Sequence, residues 1–254
     1  MTELGAVILD LDQLRRSCAS CALRKLCLPA GIDEPDLQRL DVVVRDKRLL
    51  ERGKALYRQG DAFHALYVVR TGSLKTFVEN PAGDVQVLGF HLPGEIVGMD
   101  ALADNRHLCG AEALERASIC ELPYVQLQRV VSEIPKLHQQ LGRVVSREVA
   151  ADHGHLVMMG RQHAQERLAI FLRGFAERYE RLSRDPLRLL LPMSRHDLAN
   201  YLGLAMETVS RLFGRMETEN ILAVDRKKVH ILRPALLAGL CGDERPMLFG
   251  SEAG

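Results

Sequence analysis

Apolar and polar residues alternate in short runs between about residues 46 and 122. Runs such as ALYVVR, SLKTFVE and DVQVLGFH are separated by glycines, among them Gly60, Gly72 and Gly83. A period of two places the apolar side chains on one face of a strand, and short strands between glycine turns are typical of a β-sandwich or jelly roll. We therefore predict a β-roll in this part of the chain.

The apolar spacing becomes helical on both sides of the predicted roll. PDLQRLDV, residues 35–42, predicts a short helix with Pro35 in its first turn, and VQLQRVVSEI predicts another helix after Pro123. From Pro135 to Met159 a longer helix is expected, because seam positions recur at alternating spacings of four and three over about three heptads. The seam consists of Leu137, Leu141, Val144, Glu148, Ala151, His155 and Met158.

A seam of this kind packs either on its own domain or on a second copy of the helix. The polar Glu148 and His155 favour a partly hydrated dimer contact, so we predict a dimerisation helix at residues 135–160. Asp152 lies one residue off the seam, where it either faces solvent or approaches its own copy, and two like charges would oppose association. The expected dimer interface is Leu141, Val144, Glu148, Asp152 and His155.

The C-terminal third predicts a winged helix-turn-helix. An amphipathic helix at 163–183 ends in a break at 183–186, which the pattern marks as a domain boundary. Ser194 then suits the N-cap of a helix running to Leu202, Gly203 ends it, and a second helix follows from Met206 to about residue 219. ILAVDRKKVHIL predicts a two-stranded wing with Arg-Lys-Lys at its tip for phosphate contacts.

The start of the second helix carries the side chains expected to contact DNA bases. Residues at this position of a helix-turn-helix reach base edges in the major groove, where arginine bonds guanine and a carboxylate accepts from cytosine. An ordinary polar face with an i,i+4 pair between Glu207 and Arg211 is the alternative. The candidate DNA contacts are Glu207, Thr208, Ser210 and Arg211.

Composition narrows the class of protein. The 254 residues suffice for two domains, and 34 Lys and Arg against 33 Asp and Glu exclude a globally basic binder. Positive charge is concentrated modestly between residues 188 and 233, which carry a net charge of +3. No apolar run is long enough for a membrane span, and the N-terminal segment lacks the basic start of a secretory signal. The cytoplasm is the expected compartment.

Three of the six cysteines form the pattern C-x2-C-x5-C at Cys18, Cys21 and Cys27. In a reducing cytoplasm such a group is typical of metal binding or redox chemistry. A tetrahedral zinc or an iron–sulfur cubane needs four ligands, so the fourth must be a histidine or another cysteine: Cys109, Cys120 or Cys241. The spacing does not separate iron–sulfur from zinc.

The order of these parts resembles the CRP/FNR family of bacterial transcription regulators, in particular its oxygen-sensing FNR branch. The resemblance covers about residues 10–240 and rests on CASCALRKLCLP, LYVVRTGSLK, GFHLPGEIVGMDAL, ICELP, QERLAIFL and NYLGLAMETVSRLFGRM. It implies an α+β protein with an N-terminal β-roll (a jelly roll of the cyclic-nucleotide-binding type), a long dimerisation helix and a C-terminal winged helix-turn-helix. We divide the chain at 1–30, 31–134, 135–160 and 161–254: a cysteine-rich arm, the roll, the dimer helix and the DNA-binding domain.

The resemblance also implies ligands and partners. Cys18, Cys21 and Cys27 would hold one oxygen-labile 4Fe–4S cluster with Cys120, which stands in the ICELP context. A homodimer would recognise a TTGAT-N4-ATCAA-type palindrome in double-stranded DNA and regulate anaerobic gene expression when the cluster is bound. The turn at 80–84 and nearby loops would contact RNA polymerase.

Two classes of function are not expected. The cyclic-nucleotide branch of the family binds phosphate through an Arg-Ser pair, where this chain has Gly110 and Ala111, so no cyclic nucleotide is expected. The chain lacks the glycine-rich phosphate loops, the nucleophile elbow and the HExxH motif of common enzyme classes, so it is not expected to be an enzyme. A zinc- or thiol-based regulator remains the alternative, and a redox enzyme is a more distant one.

Overall fold

The computed structural model describes residues 18, 21–161 and 163–242. The N-terminal segment 1–17, where the sequence argues against a secretory signal, therefore lies outside the described residues. No helix within the described part of the chain is both long and apolar enough to cross a membrane.

Eight strands form the predicted β-roll. They make two antiparallel four-stranded sheets, ordered β1-β8-β3-β6 and β2-β7-β4-β5. The second sheet pairs β4 with β5 and with β7. The strands are β1 (Arg45–Leu50), β2 (Ala55–Tyr57), β3 (Ala65–Thr71), β4 (Leu74–Glu79), β5 (Val85–His91), β6 (Ile96–Val97), β7 (Gly110–Ala113) and β8 (Ala117–Pro123).

Strands β3 and β8 at the centre of the first sheet are buried on both faces. Along β3, Tyr67 and Val69 belong to the apolar core inside the roll, whereas Leu66 and Val68 belong to a second core outside it. Strand β8 alternates in the same way, with Ile119 inside and Cys120 outside. Because successive side chains of a strand point to opposite faces, this sheet separates the roll interior from a helical layer.

The helical layer consists of the arm, two short helices and part of a long one. Helix α1 (Glu34–Val43) confirms the helix predicted at 35–42 and buries Leu37 and Leu40. Helix α2 (Tyr124–Glu133) confirms the helix predicted after Pro123 and buries Leu127. Leu28 of the arm and Ile32 just after it share the outer core with these residues, so the arm is part of the roll's packing.

Helix α3 (Pro135–Met159) has the predicted bounds and, with 25 residues, a length of about 38 Å. Its exposed face differs from the predicted seam. Leu137 is buried, and Leu141 and Val144 pack against the same outer core. The exposed apolar row lies one residue further on, because the chain's own core covers the first half of the predicted seam. It consists of Val145 (38% exposed), Val149 (47%) and Leu156 (67%).

Helix α4 (Ala164–Arg181) belongs to the C-terminal domain. Leu168, Phe171 and Phe175 share one apolar core with Leu198 and Val209 of the helix-turn-helix. The domain boundary expected at 183–186 is therefore wrong. The break in periodicity there marks a turn inside one core, in which Ser183 has a φ of 54°.

The winged helix-turn-helix is confirmed in its local detail. Ser194 caps α5 (Arg195–Leu202) through a reciprocal capping box with Asp197, and Gly203 ends the helix in the left-handed conformation. Helix α6 (Met206–Thr218) follows. Strands β10 (Leu222–Asp225) and β11 (Lys228–Ile231) form the wing and join β9 (Arg188–Leu190) in a sheet, and α7 (Pro234–Gly239) comes last.

Strand β5 lies at the interface between the roll and the C-terminal domain. Val87 and Phe90 belong to the apolar core of the C-terminal domain although they are part of the roll. The Phe90 ring lies 6.1 Å from that of Phe171 on α4 and 5.1 Å from that of Tyr201 on α5, measured between centroids. The DNA-binding domain thus packs on the sheet edge that β5 forms.

We expect Gly72→Ala to destabilise the roll more than Gly83→Ala. Both glycines have a positive φ, which costs an alanine about 1–2 kcal/mol. A Cβ on Gly72 would also lie 2.5 Å from the Arg116 carbonyl oxygen, whereas one on Gly83 meets nothing within 4 Å. Urea unfolding should show an additional loss of at least about 2 kcal/mol for Gly72→Ala. Equal losses for the two variants would contradict this packing.

Candidate functional site

The three arm cysteines lie on a segment of consecutive hydrogen-bonded turns. The amide of Cys21 donates to the Cys18 carbonyl oxygen (3.2 Å), and the amide of Cys27 donates to that of Leu23 (3.0 Å). Asp41 of α1 accepts from the Cys18 amide at 2.6 Å. These bonds fold the arm back on α1 instead of leaving it extended.

Cys120 meets this arm from the sheet. It lies on the outer face of β8, opposite Val68 of β3, and it packs with Cys18 and Cys27 against the outer core. The Cys27 thiol is close enough to Cys120 and Cys21 for their charges to interact. The structure therefore brings together the four cysteines predicted as ligands, on two separate elements.

The other two cysteines lie elsewhere. Cys109 is buried inside the roll, and Cys241 is buried in the C-terminal core, where its Sγ donates to the Leu237 carbonyl oxygen at 3.4 Å. Neither packs against the outer core, as Cys18, Cys27 and Cys120 do. The proximity of Cys120 is thus specific among the three candidates for a fourth ligand.

The surroundings favour the protonated form of the Cys18 and Cys27 thiols. Burial raises the pKa of the Cys18 thiol well above its usual range, and Asp41, Cys27 and Cys120 add to the effect. Burial raises the pKa of Cys27 to about 12, against an opposing hydrogen bond from the backbone of Leu28. A metal that binds here must displace protons, and its positive charge then stabilises thiolates that are otherwise costly in an apolar place.

The donor set fits a thiolate-bound metal group in kind and number. Four cysteines are the usual ligand set of iron–sulfur clusters and of one class of zinc site. Among the residues that the structure describes, no three Cys, His, Asp or Glu side chains are already arranged around a single ion. The fit therefore rests on the chemistry and common location of the four thiols.

The thiol region is linked directly to the long helix. Gln140 of α3 is 3% exposed, and its amide nitrogen donates to the Cys27 carbonyl oxygen at 3.4 Å. Lys136 at the start of α3 forms an ion pair of 2.8 Å with Asp33, which follows the arm. A change in the position of the arm would therefore be transmitted to the first half of α3 through these two contacts.

The recognition helix presents three of its four candidate DNA contacts to solvent. Glu207, Ser210 and Arg211 are exposed, and Thr208 is half-buried. Arg211 donates from Nε to the Glu207 carbonyl oxygen at 3.4 Å. The opposite face of α6 is buried through Val209, Phe213 and Met216, so burial fixes which side of the helix faces outward.

The wing tip differs from expectation at one position. Lys227 points inward and donates to the Pro192 carbonyl oxygen, so of the three basic residues only Arg226 and Lys228 remain exposed for phosphate contacts. Arg195 stacks on the Phe213 ring, 3.7 Å from its centroid, and donates to the Arg226 carbonyl oxygen at 3.3 Å. The sequence did not indicate this support of the wing.

A cavity of about 800 Å³ lies between the roll, α3 and α4. Inside it, Arg178 of α4 binds both carboxylate oxygens of Glu95 in the roll, at 2.9 and 2.6 Å. His91 is buried nearby, and burial lowers its pKa to about 4. Nothing in the sequence pointed to Arg178 as the partner of Glu95.

Four residues of the predicted dimer interface line this cavity: Val144, Glu148, Asp152 and His155. The His155 ring packs against Tyr201 of the same chain with centroids 4.2 Å apart. Asp152 is exposed and lies in heptad spacing with the apolar row of Val149 and Leu156. The exposed row thus favours Asp152 over His155 as a residue that faces a second copy.

Comparison with known proteins places this architecture in a family. Residues 47–133 match the model of a cyclic nucleotide-binding domain, and residues 166–240 match a Crp-like helix-turn-helix domain. The transcriptional activator protein Anr of Pseudomonas protegens is 41% identical over 89% of this chain and 92% of its own length. The fumarate and nitrate reduction regulatory protein of Yersinia pestis is 37% identical over 91% and 92%.

A solved structure has the same fold. FixK2 from Bradyrhizobium japonicum superposes with a TM-score of 0.73 and 25% identity, over 80% of this chain and all of that one. The chain belongs to the CRP/FNR family of transcription regulators, and its curated relatives include regulators of the FNR and Anr type. The predicted fold class is thereby confirmed, as is the prediction that the chain is not an enzyme.

We expect Glu148→Gln to change how stability depends on pH. Burial raises the pKa of Glu148 to about 7, Glu95 and Asp152 add to the rise, and Arg178 opposes it; the ordinary value is 4.5. Between these two values the folded chain keeps a proton that the unfolded chain has lost, so stability falls as pH rises. Glutamine does not ionise, and the variant should gain about 1–2 kcal/mol over wild type between pH 5 and pH 8.

Urea unfolding at pH 5 and pH 8 measures this difference. Glu180→Gln is the control, because Glu180 is an exposed carboxylate on α4. Parallel pH profiles of stability for Glu148→Gln and wild type would show that burial does not raise the pKa of Glu148.

Proposed function

We propose that the protein is an oxygen-responsive DNA-binding transcription regulator of anaerobic gene expression. It is active as a homodimer when Cys18, Cys21, Cys27 and Cys120 hold a 4Fe–4S cluster. The observation that carries the proposal is that Cys18 and Cys27 of the arm pack with Cys120 against the core that also anchors the first half of α3. The relatives that regulate fumarate and nitrate reduction support the anaerobic role.

The thiol site joins an element held by turns to one held by strand pairing. When bound, a 4Fe–4S cluster supplies an oxygen-labile cross-link between four thiolates. Cys120 is held by strand pairing in the middle of β8, whereas the arm cysteines are held by turns and by packing of Leu28. Loss of the cross-link leaves the position of the arm to these weaker contacts, and Gln140 and Lys136 carry the change to α3.

The exposed row of α3 is the proposed dimer contact. Val145, Val149 and Leu156 provide an apolar surface, and Asp152 lies in the same row. In a two-fold pair each Asp152 would approach its copy, and the repulsion would keep the dimer weak until the arm is fixed. Leu141 and Val144 would contribute from the edge of the interface.

The dimer would place two recognition helices in successive major grooves. Half-sites one helical turn apart require a spacing of about 34 Å between the two helices. Glu207, Ser210 and Arg211 would contact base edges of a TTGAT-N4-ATCAA-type palindrome, and Arg226 and Lys228 would contact phosphates. One half-site alone would bind much more weakly, so dimerisation would control occupancy.

RNA polymerase is the proposed protein partner. The turn between β4 and β5 is exposed and internally bonded, since the Asn80 side chain accepts from the amides of Ala82 and Asp84 at 2.9 Å. It lies next to the DNA-binding domain, because Asn200 of α5 donates to Val85 at the start of β5. A rigid turn in this place is suited to contact a polymerase on the same DNA.

A cyclic nucleotide is not the proposed signal. The roll has Gly110 and Ala111 where the family's nucleotide-binding branch has an Arg-Ser pair, and a Cβ on Gly110 would lie 3.1 Å from the Phe77 ring. The Glu95 carboxylate in the cavity is bonded to Arg178. Both features argue against a cyclic nucleotide as the ligand of the roll.

We expect Cys120→Ser to abolish the oxygen response. Wild-type protein purified without oxygen should absorb in the visible and contain about four iron and four sulfide per chain. It should bind the palindrome with steep salt dependence and lose this binding in air. Cys120→Ser should lack the absorption and bind weakly under both conditions, whereas Cys109→Ser should behave as wild type. A colourless wild-type protein with one zinc would refute iron–sulfur sensing and leave a DNA-binding regulator with another signal.

We expect Asp152→Ala to remain a dimer in air. Two carboxylates a few ångströms apart in water repel by about 1 kcal/mol, so their removal should tighten association about five- to tenfold. Sedimentation of aerobic protein measures this, with His153→Ala as the control because His153 is exposed outside the apolar row. An aerobic monomer for Asp152→Ala would count against the two-fold contact at this residue.

A further inference from the structure

Helix α5 has two faces with different roles. Leu198, Ala199 and Leu202 are buried in the core of the helix-turn-helix. Asp197, Asn200 and Tyr201, at spacings of three and four, form the other face, which contacts the roll and α3; we call it the docking face. These residues hold the DNA-binding domain against the rest of the chain.

The first contact is an ion pair between domains. Lys75 of β4 donates from Nζ to Asp197 Oδ1 at 2.8 Å, and both side chains are only 14% exposed. The second oxygen of the same carboxylate belongs to the capping box with Ser194. Glu112 lies 3.5 Å from the same ammonium and forms a second ion pair with it. One carboxylate therefore both caps α5 and fixes it to the roll.

The second contact is a paired hydrogen bond on the edge of a sheet. The Asn200 side chain donates to the Val85 carbonyl oxygen and accepts from the Val87 amide, both at 2.6 Å. Gln86 donates to the Asn200 carbonyl oxygen at 3.2 Å. The amide group of Asn200 thus takes the place that the peptide of a neighbouring strand would have on β5.

The third contact includes the long helix. The Tyr201 ring packs on Phe90 of the roll and on His155 of α3. Arg178 of α4 adds its bidentate bond to Glu95 from the other side of the domain interface. The docking face therefore fixes the DNA-binding domain relative to the roll and to the proposed dimer helix at once.

Docking does not cover the surface that would meet DNA. Glu207, Ser210 and Arg211 remain exposed while Asp197 and Asn200 are bonded to the roll. An autoinhibitory contact would bury these recognition residues. The arrangement is instead that of an element which orients the recognition helix.

We propose that Lys75 and Asn200 are positioning residues for DNA binding: they hold each recognition helix in the orientation that lets both halves of a dimer engage one palindrome. The inference rests on the proposed function and adds residues that do not touch DNA. Without the docking contacts each domain would still bind a half-site, but the effective concentration of the second domain at its half-site would fall.

The test compares two duplexes with cluster-loaded protein kept without oxygen. One duplex carries the full palindrome, and the other carries one half-site beside scrambled sequence. Lys75→Gln and Asn200→Ala should bind the full site about tenfold more weakly than wild type, with half-site affinity changed less than about twofold. Lys54→Gln is the matched control, because Lys54 is an exposed lysine of the same roll outside the docking contacts. Arg211→Ala should weaken both duplexes.

A second measurement detects undocking itself. The Val87 amide donates to Asn200, so its hydrogen exchange should accelerate in Lys75→Gln, in which both partners of that bond are unchanged. Equal losses on both duplexes, or full-site binding and Val87 exchange like those of wild type, would overturn the proposal. Wild-type protein that binds neither duplex would overturn the proposed function and the inference with it.

Discussion

The burial of both faces of β3 and β8 is the packing that positions the thiols and α3. One face of β3 and β8 closes the roll, and the other supports the arm, α1, α2 and the first half of α3. Cys120 lies on this outer face because Ile119 is used for the inner one. The sheet therefore determines where a fourth thiol meets the arm, and it presents the same apolar surface to the arm and to α3.

Helix α3 links the packing at this sheet to the DNA-binding domain. Its first turns contact the arm through Lys136 and Gln140, its middle exposes an apolar row, and its last turns contact the DNA-binding domain through His155 and Met158. A continuous helix transmits displacement because its backbone hydrogen bonds keep it rigid. The thiols, the proposed dimer contact and the recognition helix are thus connected by one element of about 38 Å.

The sequence pattern of α3 did not predict which face of the helix is exposed. Two rows of residues on α3, offset from each other by one position, both have alternating spacings of four and three. The helical repeat of 3.6 residues is compatible with either row, so it does not show which row is exposed. The predicted row through Leu141 and Val144 is the one that the chain's own core takes. Val145, Val149 and Leu156 remain exposed. Asp152, one residue off the predicted seam, lies within this exposed row.

The sequence by itself determined the local elements: the strands from their alternation, the bounds of α3 and the capping of α5 at Ser194. These depend on hydrogen bonds and periodicity within a few residues, which the sequence shows directly. Only the tertiary structure brought Cys120 to the arm, joined α4 to the helix-turn-helix core and paired Lys75 with Asp197, 122 residues apart. Such contacts depend on which buried faces meet, and burial is a property of the whole fold rather than of any segment.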